Sequence, residues 1–239
     1  MADDTILRRN FLKGAAAGTA AALATVAPAQ AQTSAPAAPA LPASNTPEAH
    51  PWLTLNATEA AFITAAVDTL IPADELSPSG SDCGVAVFID RQLAGAYGNG
   101  ARLYRQGPFL KAKPELGYQL ALTPREFFRA AVVAANDFTR KTYGKDFDRL
   151  GEADREAALK TMETGKAGFP GFSSSMFFDA LLQITMEGFF ADPIYGGNRD
   201  KASWKMVGYP GLPATYKEEI KTYFGKKYDK PPRSIADFS

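Results

Sequence analysis

The chain has few residues that could perform chemistry. Its 239 residues include one cysteine, Cys83, and one histidine, His50. These counts exclude a disulfide within the chain, multi-cysteine zinc or iron–sulfur sites, and sites with paired histidines. His50 lies between Ala49 and Pro51 with no other ligand type around it, so we expect no metal-binding or catalytic role for it.

Other polar groups do not form a recognisable site in the sequence. Asp192, Asn198 and Asp200 lack the acidic positions and terminal Glu of known calcium loops. The serines at 173–175 have no adjacent glycine elbow and no available histidine, which argues against a nucleophilic serine. The chain also has no phosphate-binding loop and no dinucleotide fingerprint. We therefore predict no catalytic, cofactor-binding or metal-binding residue.

Cys83 is the remaining reactive group. It follows the small residues Ser79 to Asp82 and precedes a predicted helix, so we expect an accessible thiol whose pKa is lowered by the helix N-terminus. In an oxidising compartment an odd cysteine is either an inert thiol or bonded to another chain. Both alternatives stay open, and the second makes Cys83 a candidate for an inter-subunit disulfide.

Composition narrows the class of protein. Twenty-six basic residues balance twenty-six acidic ones, which removes the electrostatic argument for a nucleic-acid partner. The chain is 46% hydrophobic and 22% charged, so it has enough apolar residues to bury a core.

The elements that would position any site are helices. Capping-box spacings at Asn56–Glu59 and Thr123–Glu126 begin two of them. Apolar residues recur at helical spacing, and alternating strand patterns are nearly absent. The sequence predicts an all-α fold, an irregular bundle of five to six helices with two long ordered loops, in a single domain over 52–239. The predicted helices begin near 57, 85, 124, 152, 174 and 215, and the inward face of the second includes Tyr97.

The segment that follows Ser173–Ser175 is apolar on nearly every side. It predicts a helix that is either the centre of the bundle or part of an interface. Its apolar residues are Phe177, Phe178, Leu181, Leu182, Ile184, Met186, Phe189 and Phe190.

The first thirty-one residues have the pattern of a twin-arginine export signal. The motif consists of Arg8, Arg9, Phe11, Leu12 and Lys13, followed by a weakly apolar run and a cleavage site with Ala29 and Ala31. Residues 32–51 form a Pro- and Ala-rich linker. This export route carries folded proteins and is favoured when a cofactor must be loaded first. We therefore expect a periplasmic protein whose cofactor lies in an unrecognised site or in a partner exported with it.

Two long loops, 99–122 and 191–213, carry unusual numbers of aromatic residues. Tyr, Trp and Arg dominate the energetics of protein interfaces, so these loops are candidates for partner contacts. The alternative is that their rings pack onto their own helices. The partner-interface candidates of both loops are Tyr104, Phe109, Tyr118, Asp192, Pro193, Tyr195, Gly196, Gly197, Asn198, Trp204 and Tyr209.

Several segments resemble one known family. The most specific runs from Phe189 through Asp192-Pro193 and Gly196-Gly197-Asn198 to Trp204, ending at Val207–Gly211. Supporting segments are Gly107–Phe109, Leu116–Gln119 and Leu70–Pro72. From about Leu55 to Gly211 the chain resembles subunit 3, the small or gamma subunit, of the gluconate 2-dehydrogenase type.

The resemblance implies a non-catalytic accessory subunit. In that family a large subunit of the glucose-methanol-choline type holds FAD and oxidises a sugar or sugar acid. A multihaem cytochrome c subunit passes electrons to quinone in the inner membrane. The small subunit supplies the export signal that the large one lacks, stabilises it, and reaches the membrane only through the complex. The resemblance implies no cofactor and no catalytic residue in this chain.

Two other hypotheses compete with the accessory subunit. A free-standing periplasmic binding or scaffold protein would use the long loops to hold a small ligand or another partner. A hydrolase with an unrecognised site is disfavoured by the position of the lone histidine.

Overall fold

The computed structural model describes residues 52–110, 113, 118–212 and 215–238, and these contain seven α-helices and no β-strand. The predicted all-α fold is confirmed. The predicted export signal, its cleavage site, the linker and His50 lie outside the described residues. The helices are α1 Ala57–Leu70, α2 Val85–Ala94, α3 Pro124–Tyr143, α4 Glu152–Glu163, α5 Ser174–Phe190, α6 Ala202–Val207 and α7 Lys217–Thr222.

Both predicted capping boxes form. The amide of Glu59 donates to Asn56 Oδ1 at 2.9 Å, and the Asn56 amide donates to Glu59 Oε2 at 3.0 Å. Thr123 and Glu126 make the equivalent pair at the start of α3, where Pro124 occupies the first turn. Each box satisfies two amides that an uncapped helix leaves without partners, which is why these two boundaries are legible in the sequence.

Helix α2 is shorter than predicted. It ends at Ala94, and Tyr97 is exposed rather than inward-facing, so the prediction for that residue is wrong. The reason is the turn after Gly95: the Gly98 amide donates to the Gln92 carbonyl at 3.0 Å and folds the chain back over the helix end.

The core is a cluster of phenylalanines around α5. That helix packs against α1, α2, α3, α4 and α6. The ring of Phe177 lies 6.0 Å from Phe62 and 5.7 Å from Phe128, and Phe62 lies 4.7 Å from Phe147. All four side chains are buried, and each contributes about 1.5–3 kcal/mol through removal of apolar surface from water. The apolar segment after Ser175 therefore does occupy the bundle centre.

The start of the domain is tied to α2 by one carboxylate. Asp90 is 2% exposed and accepts from the amides of three consecutive residues, Leu53 at 2.7 Å, Thr54 at 3.0 Å and Leu55 at 2.9 Å. A buried carboxylate is stable where several N–H donors surround it. Asp90 thus fixes the direction from which the chain enters α1.

The described part of the predicted loop 191–213, residues 191–212, is more regular than its sequence indicates. It contains 3-10 turns at Pro193–Tyr195 and Arg199–Lys201, followed directly by α6. Short turns of this kind give no long apolar period, so the sequence pattern indicates only a loop.

Candidate partner interface

Side chains within the loop that follows α5 make hydrogen bonds that fix its conformation. Asp192 Oδ1 accepts from the Ile194 amide at 3.0 Å, and Asp192 Oδ2 accepts from the Ile235 amide at 2.9 Å. These bonds fix the turn Pro193–Tyr195 and hold the C-terminal segment beside it. Ile194 and Tyr195 are left 48% and 51% exposed at the tip of this turn.

Two glycines let this loop lie directly against the helices beneath it. A Cβ at Gly197 would overlap the backbone carbonyl of Gly188 in α5, and a Cβ at Gly196 would lie 2.8 Å from Arg91 Nη1. Gly196 also has φ +102°, a conformation that side-chain-bearing residues rarely adopt. Close backbone packing therefore explains Gly197, and the positive φ explains Gly196.

Asn198 is an internal brace. Its side chain is buried; Oδ1 accepts from the Ser203 amide at 3.0 Å and from Ser203 Oγ at 2.8 Å, while Nδ2 donates to the Ala191 carbonyl at 2.9 Å. This one amide joins the end of α5 to the start of α6. Three non-glycine residues here have positive φ, Asn198, Asp200 and Lys201, so the brace holds a strained backbone in place.

Trp204 is also internal. It is 6% exposed, and its Nε1 donates to the Phe190 carbonyl at 2.9 Å. Its ring meets Tyr209 edge-to-face with the centroids 5.1 Å apart. Gly197, Asn198 and Trp204 were predicted as partner contacts, and for these three the prediction of a surface position is wrong. They are buried because they build the loop that presents the exposed residues.

The exposed residues of this region include eight large apolar side chains, which alternate with the polar residues Gln183, Glu187, Arg199, Asp200 and Lys205. We name Leu182, Met186 and Phe190 the α5 stripe: they lie at positions i, i+4 and i+8 and are 37%, 42% and 37% exposed. At that spacing they share one side of the helix over about 12 Å. The loop adds Ile194, Tyr195, Met206, Val207 and Tyr209, each at least 38% exposed.

The other predicted loop, 99–122, also contains both exposed and partly buried candidate residues. Tyr104 is 79% exposed and Phe109 is 44% exposed, as expected of partner contacts. Tyr118 instead packs its ring edge-to-face against Phe127 at 5.6 Å and donates its hydroxyl to the Leu122 carbonyl at 2.7 Å. Burial raises the pKa of Tyr118 to about 12. Tyr118 is thus partly buried on its own core and is a poor candidate for a partner contact.

The predicted accessibility of Cys83 is wrong. The residue is 1% exposed, and its Sγ lies 3.7 Å from the Pro78 carbonyl. Burial raises the pKa of the thiol, and the neighbouring Asp82 carboxylate adds to the rise. Cys83 belongs to the hydrophobic core cluster, and the Arg199 amide donates to its backbone carbonyl at 2.9 Å. A buried thiol of raised pKa is a poor partner for an inter-subunit disulfide.

Within 52–110, 113, 118–212 and 215–238, no three His, Cys, Asp or Glu side chains are grouped so as to hold a metal ion. In the same residues no helix is long and apolar enough to cross a membrane. The chemistry that this surface does support is burial of aromatic and aliphatic side chains against another protein.

The family model for gluconate 2-dehydrogenase subunit 3 matches residues 57–211, which include every α-helix except α7. The chain belongs to this family. The predicted resemblance is confirmed, with nearly the same boundaries. No curated protein and no solved structure is significantly similar to the chain. As a member of the gluconate 2-dehydrogenase subunit 3 family, the chain is a subunit of a dehydrogenase complex.

Part of this surface is missed by sequence reasoning. The α5 stripe is visible as a period of four residues, but the same helix is apolar on every side, so the pattern does not reveal which side stays open. Ile194, Met206 and Val207 give no periodic signal at all. They stand in the same stretch of chain as the buried Asn198 and Trp204, so the local sequence does not separate exposed from buried positions.

Proposed function

We propose that the chain is a non-catalytic accessory subunit of a periplasmic, FAD-dependent dehydrogenase that oxidises a CH–OH group of a sugar or sugar acid. Membership of the gluconate 2-dehydrogenase subunit 3 family supports an accessory role. The structural observation that carries the proposal is the α5 stripe, continued by the exposed apolar residues of the loop that follows it.

The proposed partner on this surface is the large flavoprotein subunit of the glucose-methanol-choline type. Burial of exposed apolar side chains against a second protein drives the association of the two proteins. The hydrogen bonds of Asp192, Asn198 and Trp204 hold the loop in one conformation before binding. Such preorganisation reduces the entropy lost on association, which raises affinity without adding contacts.

The proposal places the cofactors outside this chain. FAD belongs to the large subunit, and haem c belongs to a multihaem cytochrome subunit that connects the complex to the inner membrane. The predicted twin-arginine signal with Arg8 and Arg9 would carry the flavoprotein out already folded and loaded. The accessory chain then serves both as export escort and as stabilising partner.

Changing Arg8 and Arg9 together to Lys tests this role, and the matched control is a conservative change of a basic pair outside the signal, Lys226→Arg with Lys227→Arg. We expect the double variant to leave the flavoprotein in the cytoplasm, and the control to export it normally. The measurement is the dehydrogenase activity and FAD content of separated periplasmic and cytoplasmic fractions. Normal periplasmic activity in the double variant contradicts the escort role.

The free-standing binding or scaffold protein makes a different prediction. Purification of the chain from native membranes would then yield a colourless monomer. The accessory subunit predicts a yellow complex that also contains haem.

A further inference from the structure

The chain that follows α6 forms a surface unit whose two ends are tied together. The Leu212 amide donates to the Arg233 carbonyl at 2.8 Å, and the Arg233 amide donates to the Pro210 carbonyl at 3.0 Å. We name residues 215–232, which lie between these ends and contain α7, the tyrosine unit. They come after the family match ends at residue 211, so membership of the family does not account for them. Surface segments closed at their ends are frequently functional.

Three tyrosine rings form the interior of this unit. The ring of Tyr228 lies 4.9 Å from Tyr223 and 6.1 Å from Tyr216, in both cases edge-to-face. Tyr216 also donates its hydroxyl to the Gly211 carbonyl. The Nζ of Lys230 lies over two of the rings, 5.4 Å from the centroid of Tyr223 and 5.8 Å from that of Tyr228. These contacts give the unit a packing of its own.

The most apolar side chains of the unit lie outside that packing. Phe224 is 85% exposed and makes no ring contact with any described residue, and Ile220 in α7 is 67% exposed. The tyrosine rings are therefore packed while the phenylalanine ring lies in solvent, which reverses the order that hydrophobic burial favours. The Tyr223 amide donates to the Glu219 carbonyl at 2.8 Å, so the helical turn continues past α7. Ile220 and Phe224 are spaced as neighbours on that turn, and together they form an exposed apolar pair.

Lysines accompany the apolar pair. The stretch from Ile220 to Tyr228 contains three lysines and no acidic residue. These are the exposed residues Lys221, Lys226 and Lys227. Lysine is depleted at protein–protein interfaces, which disfavours a second protein as the occupant of this surface. Lysines beside exposed large apolar side chains are typical of segments that bind the surface of an anionic bilayer.

Acidic residues lie only at the edges of this stretch and leave its charge positive. The Nζ of Lys221 is 3.5 Å from a carboxylate oxygen of Glu218, and that of Lys227 is 3.9 Å from one of Asp229. All four side chains are more than two-thirds exposed, so these pairs are weakly held and the ammonium groups can turn toward another anion.

We propose that the tyrosine unit binds the surface of a bilayer that contains anionic phospholipids. Phe224 and Ile220 enter the headgroup region, and the lysine ammonium groups lie against lipid phosphates. The stacked tyrosines hold the apolar pair in position. This contact belongs to the chain itself and is additional to the indirect contact through the proposed cytochrome subunit. It goes beyond the proposed function and does not depend on the α5 stripe.

The test is flotation of the full chain with vesicles of phosphatidylcholine alone and with vesicles of equimolar phosphatidylcholine and phosphatidylglycerol. We expect the chain to bind the anionic vesicles more strongly than the neutral ones, and to bind them less as the salt concentration rises. All chains compared carry Gln at 8, 9 and 13, because the predicted export signal has basic residues of its own.

Two variants remove the two parts of the proposed contact. Ile220→Ser with Phe224→Ser removes the apolar pair, and Lys226→Gln with Lys227→Gln removes two positive charges. Each should lower the partition coefficient for anionic vesicles about tenfold or more.

Each variant has a matched control. Leu76→Ser removes an apolar side chain that is 72% exposed elsewhere on the chain. Lys226→Arg with Lys227→Arg keeps both charges. We expect both controls to bind as the unchanged chain does.

Near-ultraviolet circular dichroism of the tyrosines checks that each variant keeps the packing of the unit. If the serine variant loses that signal, the glutamine variant decides the question. Equal binding to the two kinds of vesicle overturns the proposal. Absence of binding also overturns it and leaves an acidic protein surface as the occupant. Unchanged binding in the serine and glutamine variants places the contact elsewhere and overturns it as well. None of these results affects the export experiment, which measures the location of the flavoprotein.

Discussion

The indole N–H of Trp204 donates to the backbone carbonyl of Phe190 at 2.9 Å. Phe190 is the last residue of α5, and the carbonyls of a final helical turn have no partner within the helix. A side chain from α6 therefore satisfies the end of α5. The side chain of Phe190 belongs to the exposed α5 stripe. The Trp204 hydrogen bond therefore also orients part of the proposed interface.

Replacing Trp204 by Phe should lower the free energy of unfolding by about 1–3 kcal/mol, because an aromatic ring remains but the Phe190 carbonyl loses its donor. Urea unfolding followed by circular dichroism measures the change. Tyr209→Phe is the matched control, since it keeps the edge-to-face ring contact, and we expect a change within about 0.5 kcal/mol for it. Equal losses in the two variants would contradict a specific role for the hydrogen bond, since Tyr209→Phe leaves the Phe190 carbonyl with its donor.

Asp90→Asn should loosen the beginning of the domain. The carboxylate accepts from the amides of Leu53, Thr54 and Leu55, whereas an asparagine offers one acceptor oxygen and turns an NH₂ group toward the same donors. We expect a loss of about 1.5–3 kcal/mol in the free energy of unfolding, the scale of a buried hydrogen bond to a charged group.

Hydrogen exchange locates that loss, because the amides of Leu53 to Leu55 should lose protection first. Asp74→Asn is the control: Asp74 accepts from two amides in an exposed turn that asparagine also supports. A large effect of Asp74→Asn, together with no effect of Asp90→Asn, would contradict the role of Asp90 in holding residues 53–55.

The sequence predicts those parts of the fold that depend on neighbouring residues. The boxes at Asn56 and Thr123 are local, and both form as expected. Helix α5 is also predicted, because it has apolar residues on nearly every side and such a helix is expected to be buried. The class of protein follows from the segment 189–211 together with the other matching stretches.

What the sequence does not predict is which loop residues are covered by distant elements. Cys83 lies in the hydrophobic core cluster, and its carbonyl accepts a bond from Arg199, a residue distant in sequence that no local pattern connects with it. Asn198 and Trp204 are polar or amphipathic residues in a loop, which favours a surface position, yet their hydrogen-bonding groups are used internally. The exposed and buried members of the candidate interface are separated by tertiary packing alone.

Cys83 should react slowly with a thiol reagent in the native chain and rapidly in denaturant. Burial removes access, and the raised pKa reduces the thiolate fraction at neutral pH. The release of coloured thiol from Ellman's reagent, with and without guanidinium chloride, measures the contrast. A non-reducing gel of the native complex should show no cross-link through this residue. Rapid native labelling, or a band that Cys83→Ser removes, contradicts the buried position.

Acid should release the C-terminal segment. A hydrogen bond from Lys201 Nζ at 2.7 Å, helped by the Ser234 amide, lowers the pKa of Asp237 from 3.8 to about 2. Because the folded-state pKa lies below the unfolded one, this stabilisation is present above about pH 3.8 and is lost as the pH falls toward 2. We expect Asp237→Asn to differ from the unchanged chain at neutral pH and to converge with it in acid. Thermal unfolding at a series of pH values measures both, and parallel curves would argue against this role.

A charge placed in the α5 stripe should separate the accessory chain from its partner without unfolding it. Met186 is 42% exposed in the free chain, so Met186→Glu costs the chain little but buries a carboxylate among apolar groups in the complex. We expect affinity for the flavoprotein subunit to fall by about tenfold or more, and Leu182→Glu to act in the same way. Co-purification of the FAD-containing subunit with the tagged chain measures the loss. Val133→Glu on α3 is the control, since Val133 is 60% exposed on another helix. If Val133→Glu removes the partner while Met186→Glu retains it, the interface lies on α3 and the α5 stripe is ordinary surface.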